Sequence, residues 1–490
     1  MNWSALASAV AAQWDGDIVP RLTEYVRVPA KSPHFDPHWE ATGAIERVIR
    51  MAEGWVRAQP VHGLTVEIVR LPRRTPVLYF DIPAHGEQGA RGEAATVLIY
   101  GHLDKQPEMT GWREGYGPWD PLYQDGKLYG RGSADDGYAV FAAIAAIAAL
   151  QAQGGAHSRC VGIIETCEES GSYDLPAYLE ALAPRMGNVD LVVGLDSGCG
   201  DYDRLWATTS LRGLAGGRLC VEVLTEGVHS GDASGVVPSS FRIARGLLDR
   251  LEDVTTGRIL PGDFHADIPR ERSEQARLAA EVMGDTVIRK YPFAGSTRAM
   301  IDDRAEALLN RTWRPALSVT GADGLPAIAN AGNVLRPQTL LKLSLRLPPT
   351  IDGDAAAQAM KRLLEADPPY DASVRFDGES GASGWNAPAT EPWLADALQR
   401  ASLEFYGQPV AAMGEGGTIP FMAMLGTHFP RAQFLITGVL GPHSNAHGPN
   451  EFLHVPYARK LTACVAFVLQ AHAQRSVQPS SAPASAAGRA

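Results

Sequence analysis

ATVLIYGHLDK, residues 95–105, decides how the chain is read. Six apolar or β-favouring residues run without a break and end at Gly101-His102-Leu103-Asp104. A run too short for a helix, with no polar face, reads as an interior strand of an α/β sheet. Three further runs repeat the pattern. VGIIET (161–166) leads into Cys167-Glu168-Glu169, LVVGL (191–195) into Asp196, and FLITGVL (434–440) through a loop into His447-Gly448-Pro449-Asn450-Glu451. A fifth group, Gly130 to Asp136, opens an Ala-rich helix. Open α/β sheets bind ligands outside the carboxyl ends of their strands. His102, Asp135, Glu169, Asp196 and His447 are therefore expected to converge. Two imidazoles and three carboxylates suit a pair of divalent cations.

Around these runs the sequence alternates helix and strand. Residues 5–25 and 43–58 read as helices, TVEIVR and VLYFDIP as strands, and 138–153 as a helix apolar nearly all round, hence buried. AHGEQGARGEA reads as a Gly-rich surface turn. From 211 to 379 the character changes. LAGGRLCVEVLTEG reads as one or two strands, LLKLSLRL alternates as a half-buried strand, and PSSFRIARGLLDRLED and DAAAQAMKRLLEA read as helices. The expected organisation is a discontinuous catalytic α/β domain, residues 1–210 and 380–475, with a mixed sheet flanked by helices. It carries an inserted α+β lid and dimerisation domain at 211–379. The tail, 476–490, has a disordered composition.

Composition narrows the function. The 490 residues carry a net charge of −11, which argues against nucleic-acid or anionic-membrane partners. Five cysteines without paired spacing suit a reducing compartment. The N-terminus has no basic region or long apolar core, and no run is long enough to span a bilayer, so the cytoplasm is the expected location.

Taken singly, each site residue has a bland reading. An Asp after a strand usually caps a helix or forms a turn. A lone His is usually a surface or hydrogen-bonded residue. The adjacent carboxylates of Glu168 and Glu169 repel each other and suit a solvated turn. Beside a cation they acquire a use, one as a ligand and the other as a general base. His102 and Asp104, two apart, would face the same side of an extended strand, so Asp104 could orient His102. His443 reads as a loop residue, Cys167 as a packed thiol, and His34 and His38 as exposed.

The motifs GHLDKQP, LYGRGSADD, ETCEESGS, the Asp of GLDSG, GVHSG, SLRLPP, GEGGTIP and HGPNE stand in order between about residues 20 and 470. Together they resemble the dinuclear zinc metallopeptidase family of glutamate carboxypeptidase, succinyl-diaminopimelate desuccinylase, aminoacylase and the carnosinase-like cytosolic dipeptidases. The dipeptidase branch is the nearest. The resemblance implies a zinc exopeptidase-like fold with two divalent ions per subunit, zinc first and manganese or cobalt as alternatives. His102, Asp135 and Asp196 would hold one ion. Asp135, Glu169 and His447 would hold the other, with Asp135 bridging. It further implies that Asp104 orients His102 and that Glu168 activates a bridging hydroxide. His229 would reach across a homodimer to polarise the scissile carbonyl, and Asn333, Arg346 and Thr418 would contact substrate.

The implied reaction is hydrolysis of a dipeptide or short peptide with a free C-terminal carboxylate. An N-acyl- or N-carbamoyl-amino-acid amidohydrolase is the alternative within the same chemistry, and a catalytically silent binding homologue the alternative outside it. Three positions depart from the family pattern. Gly137-Tyr138 replaces Lys-Gly, Gly414 replaces an Arg, and Ser234-Gly235 replaces a Gly-Gly pair.

Overall fold

The computed structural model describes residues 1–86, 95–378, 381–417 and 420–475. Its main sheet has six strands: β1 (Thr65–Val69), β2 (Val77–Ile82), β3 (Thr96–His102), β4 (Arg159–Glu165), β5 (Val189–Gly194) and β6 (Gln433–Ile436). They lie in the order β1-β2-β4-β3-β5-β6. The strands β4, β3, β5 and β6 are parallel, while β1 and β2 are antiparallel additions at one edge. The four quoted apolar runs are thus four adjacent parallel strands, and their carboxyl ends share one edge. All seven residues of β3 are buried, as an unbroken apolar run in an interior strand requires.

The Ala-rich helix Ala139–Ala152 is buried from Ala139 to Leu150. Its small side chains let it lie close to both the sheet and the C-terminal helix Val455–Gln474. The expected helix at 5–25 is interrupted. Trp3–Gln13 is α-helical, Trp14–Ile18 is a π-helical turn, and Val19–Val26 resumes the helix. Pro20 explains the break, because it has no N–H to donate to the carbonyl one turn earlier and its ring crowds that carbonyl.

A second, antiparallel sheet has the order Ala316–Asp323, Gln338–Leu347, Gly213–Glu222, Ser373–Gly378. Gln338–Leu347 alternates buried and less buried positions, as LLKLSLRL predicts, and Gly213–Glu222 forms one strand. Helices Ser240–Leu248 and Gly353–Glu365 cover the sheet and close a core around Leu219, Ile243, Leu345, Met360 and Phe376.

The packing departs from the sequence division in one region. Helices Arg270–Met283 and Arg304–Thr312 lie inside the expected 211–379 insert. Yet their Ala276, Ala280, Leu308 and Leu309, with Trp313, join the large core beside Trp206 and Met413. They pack near a small sheet of Trp385–Asn386, Trp206–Leu211 and Ala411–Glu415. An amphipathic period shows that a helix face is buried, not which core buries it. Most of the Gly-rich turn between β2 and β3, Thr418, and the tail from residue 476 fall outside the described residues. No described helix is long and apolar enough to cross a membrane.

Candidate metal centre

The parallel edge delivers the site. His102 is the last residue of β3, a 3-10 turn at Glu168–Ser170 follows β4, and Asp196 stands two residues beyond β5. His447 lies in the loop after β6, and Asp135 precedes the buried Ala-rich helix. Asp135 occupies the middle. Its Oδ1 lies 3.3 Å from His102 Nε2, and its Oδ2 lies 2.9 Å from His447 Nε2. On the first side Asp196 Oδ2 is 3.7 Å from His102 Nε2, and on the second Glu169 Oε2 is 3.4 Å from His447 Nε2. A carboxylate whose two oxygens face two different imidazoles has the disposition of a bridging ligand. Ligand atoms of His102, Asp135 and Glu169 lie within 4.8 Å of one another, as do those of His102, Glu168 and Asp196.

The electrostatics of this cluster suit a cation. His102 Nε2 and Glu169 Oε1 are buried without a hydrogen-bond partner among the described residues, which is costly unless another group satisfies them. Burial, then Asp196, pushes Glu168 well above the usual carboxylate range. Burial, then Asp135, does the same to Glu169. Asp196 is pushed up to about 7, again chiefly by burial. Burial would also raise Asp135, but the imidazoles of His102 and His447 beside its two oxygens hold it well below its ordinary value. Burial would lower His102, yet Asp104 and Asp135 outweigh it and raise the imidazole. Closely packed carboxylates that resist ionising together, beside imidazoles, form a mixed N/O donor set suited to divalent metal.

Asp104 lies beside His102 and also serves the glutamate turn. Its carboxylate lies 3.5 Å from His102 Nδ1, but its main-chain carbonyl is nearer, at 3.1 Å. The carboxylate also accepts from the backbone N–H of Glu168 at 3.1 Å and of Glu169 at 3.0 Å. Asp104 thus fixes the turn that presents both glutamates.

Several positioning residues escaped the sequence reading. Arg131 and Glu451 form a fully buried ion pair, Nη1 to Oε2 at 2.5 Å. Glu451 Oε1 also accepts from the backbone N–H groups of Gly132, Ala134 and Asp135, while Arg131 Nη2 donates to the carbonyls of His447 and Gly448. One ion pair therefore holds the loops of Asp135 and His447 together. His447 itself has φ +64°, a left-handed conformation that a non-glycine residue holds only under constraint. Gln106 Nε2 donates to Glu169 Oε2 at 2.5 Å. Lys105 is buried and donates to the carbonyls of Tyr25, Val26 and Val28, pinning the end of helix Val19–Val26 to the site. The only sequence signal for Glu451 was its place in HGPNE, and Arg131 stood unremarked in GRGSADD. His34 and His38 are exposed, His443 lies in a loop and Cys167 is buried, as expected.

The substrate-side residues divide. Arg346, on the inner strand Gln338–Leu347 of the antiparallel sheet, lines the same cleft of about 640 Å³ as Asp135, Glu168, Asp196 and His447. His229 and Asn333 do not line it. His229 is exposed on a two-residue strand paired with Val334, and the Asn333 carbonyl accepts from the Ser230 N–H. Two family departures have a steric reason. A Cβ at Gly137 would stand 2.2 Å from the Tyr25 ring, and one at Gly414 would stand 2.4 Å from Ser210 Oγ and 3.0 Å from Thr312 Cβ. Tyr138 is buried, its hydroxyl donating to the Leu195 carbonyl.

The family model described as Peptidase family M20/M25/M40 matches residues 98–472. Cysteinylglycine-S-conjugate dipeptidase of Corynebacterium striatum is 29% identical over 392 residues, covering 75% of this chain and 80% of that protein. Beta-Ala-His dipeptidase of Homo sapiens is 26% identical over 399 residues, covering 79% and 77% respectively. Among solved structures, human carnosine dipeptidase 1 superposes with a TM-score of 0.75 at 23% identity, over 97% of this chain and 99% of that one. The di-peptidase Dug1p from Saccharomyces cerevisiae gives 0.74 at 21% identity, over 97% and 99%. These superpositions show a shared fold.

Proposed function

The chain belongs to peptidase family M20/M25/M40, and on that premise we propose that it hydrolyses dipeptides or short peptides bearing a free C-terminal carboxylate. The observation that carries the reading is Asp135, set between His102 and His447 with a further carboxylate on each side and Glu168 left over. His102, Asp135 and Asp196 would hold one divalent ion, and Asp135, Glu169 and His447 the other, with zinc suiting the mixed N/O donors. When bound, two such ions supply Lewis acidity and make water a competent nucleophile at neutral pH.

The chain supplies the rest. Glu168 takes a proton from the attacking water and gives it to the leaving amine, a shuttle for which a raised carboxyl is suited. Asp104 keeps Glu168 in place through its backbone N–H. Arg346 receives the C-terminal carboxylate, since a planar guanidinium can bind both oxygens. His229 and Asn333, exposed and outside the cleft, act in the site of a second copy, which makes the working unit a two-fold dimer. The named curated relatives are dipeptidases, which favours peptides over N-acyl or N-carbamoyl amino acids. The chain is read as acting in the cytoplasm, in keeping with five unpaired cysteines.

The test is a hydrolysis screen of chelated and metal-reconstituted protein. The chelated protein should be inert, and zinc, manganese or cobalt should restore cleavage of dipeptides over N-acyl amino acids and C-terminally amidated peptides. Turnover of N-acyl or N-carbamoyl amino acids with dipeptides left intact would overturn the substrate assignment. Full activity in protein shown by elemental analysis to be metal-free would overturn the metal assignment.

A further inference from the structure

Beside the catalytic cleft lies a second cavity of about 780 Å³, and Glu415 and Leu440 line both. Its wall carries four cationic side chains, Arg113, Lys127, Lys290 and Arg311. Among the described residues none of the four forms an ion pair. Three rest on aromatic faces instead. Arg113 lies 4.5 Å from the Tyr116 ring, Lys127 4.5 Å from Phe452 and Lys290 5.2 Å from Tyr291. A ring face attracts a cation but leaves its charge in place. Arg311 Nε is buried with no hydrogen-bond partner among the described residues, and its Nη2 reaches only the Met413 sulfur at 4.0 Å. Burial, then Arg311, pushes Lys290 down to about 8, with Glu415 opposing. Four cations against the single carboxylate of Glu415 give the cavity an attractive field for an anion, strongest where Lys290 and Arg311 sense each other.

We propose that this cavity is a subsite for an anionic group of the substrate, a carboxylate on the side chain of its N-terminal residue. The assignment rests on the peptidase reading, with the C-terminal carboxylate at Arg346. Arg346 lines the cleft and not this cavity, so the group received here belongs to the other end of the peptide. The preferred substrates are then peptides beginning with Glu or Asp. An aliphatic spacer passing Leu440 carries the carboxylate to Lys290 and Arg311.

Binding separates this subsite from the hydrolytic reading. The metal-loaded Glu168→Gln protein is titrated calorimetrically with Glu-Gly and with Gln-Gly, which differ only by the charge. Glu-Gly should bind roughly tenfold more tightly, the worth of one charge-assisted contact. Adding Lys290→Gln should shrink that ratio to about two or three, and Arg311→Gln should do the same. Equal dissociation constants, or a preference that survives both substitutions, would overturn the subsite. If the unsubstituted enzyme cleaves Gln-Gly while the two constants are equal, only the subsite fails. If Glu-Gly binds preferentially but neither peptide is cleaved, the subsite stands and the peptidase reading fails.

Discussion

Replacing Glu451 with Gln should damage both the fold and the metal site, by amounts the structure sets. Arg131 and Glu451 are 1% and 0% exposed, so neither can recover its interactions from water. The Gln amide keeps one acceptor for the N–H groups of Gly132, Ala134 and Asp135 but presents donors or a neutral oxygen to Arg131. A buried guanidinium is left uncompensated, which costs about 3–5 kcal/mol. For 490 residues at about 2.1 cal/mol/K each, the unfolding entropy is about 1 kcal/mol per degree, so the melting temperature should fall roughly 3–5 °C.

The second effect is specific to the site. Arg131 also holds the carbonyls of His447 and Gly448, so its displacement moves a proposed ligand loop away from Asp135. A tenfold weaker metal affinity removes about 1.4 kcal/mol of metal-induced stabilisation, roughly a further degree and a half. Melting is measured with and without zinc, and affinity by competition with a chromogenic chelator. In a double-mutant cycle, Arg131→Met and Glu451→Gln should show a coupling of about 2–3 kcal/mol. A melting temperature within about 1 °C of the parent would refute the burial argument. A clear loss of stability with unchanged zinc affinity would refute the link to Asp135 and His447.

The remaining predictions concern roles and pH. Glu168→Gln should keep metal, measured by elemental analysis, while kcat falls roughly 100- to 10,000-fold, and Glu169→Gln should lose metal first; identical behaviour would erase the division between them. Mixing His229→Ala subunits with Glu168→Gln subunits, each nearly inactive, should restore activity in heterodimers to at most about half that of the parent dimer; no recovery in isolated heterodimers would place His229 outside the partner's site. His157 is buried between Gln151 and the Ser158 carbonyl, and burial, aided by the charge of nearby His85, pushes it down to about 4. Its unfolded value is about 6.5, so the unfolded chain takes the proton first. This contribution is complete above that pH and is lost as pH falls toward the folded value, by about 3 kcal/mol at most. His157→Gln should flatten the melting-temperature profile across that window; a slope equal to the parent's would remove His157 as its source.

What the sequence disclosed follows the physics of the sheet. His102, Glu169 and Asp196 were legible because each closes an apolar run. Parallel strands share a direction, so ends far apart in sequence meet at one edge whatever the strand order. His447 was legible for the same reason, although a loop separates it from β6. Asp135 belongs to no strand end, and only the motif around it marked it. Asp104 was legible only in part: its carboxylate lies beside His102 Nδ1, but its hydrogen bonds to the amides of Glu168 and Glu169 join two segments far apart in sequence. Glu451 pairs with a residue 320 positions earlier, and nothing local in either loop encodes that meeting. The same limit applies to helices Arg270–Met283 and Arg304–Thr312, whose spacing marks an apolar face but not its partner. Local pattern thus identifies residues that need a partner, and topology chooses the partner. The proposed ligands His102, Glu169 and Asp196 sit where topology is simplest, after parallel strand ends, whereas Arg131 and Glu451, which hold the loops of Asp135 and His447, depend on loop-to-loop contacts.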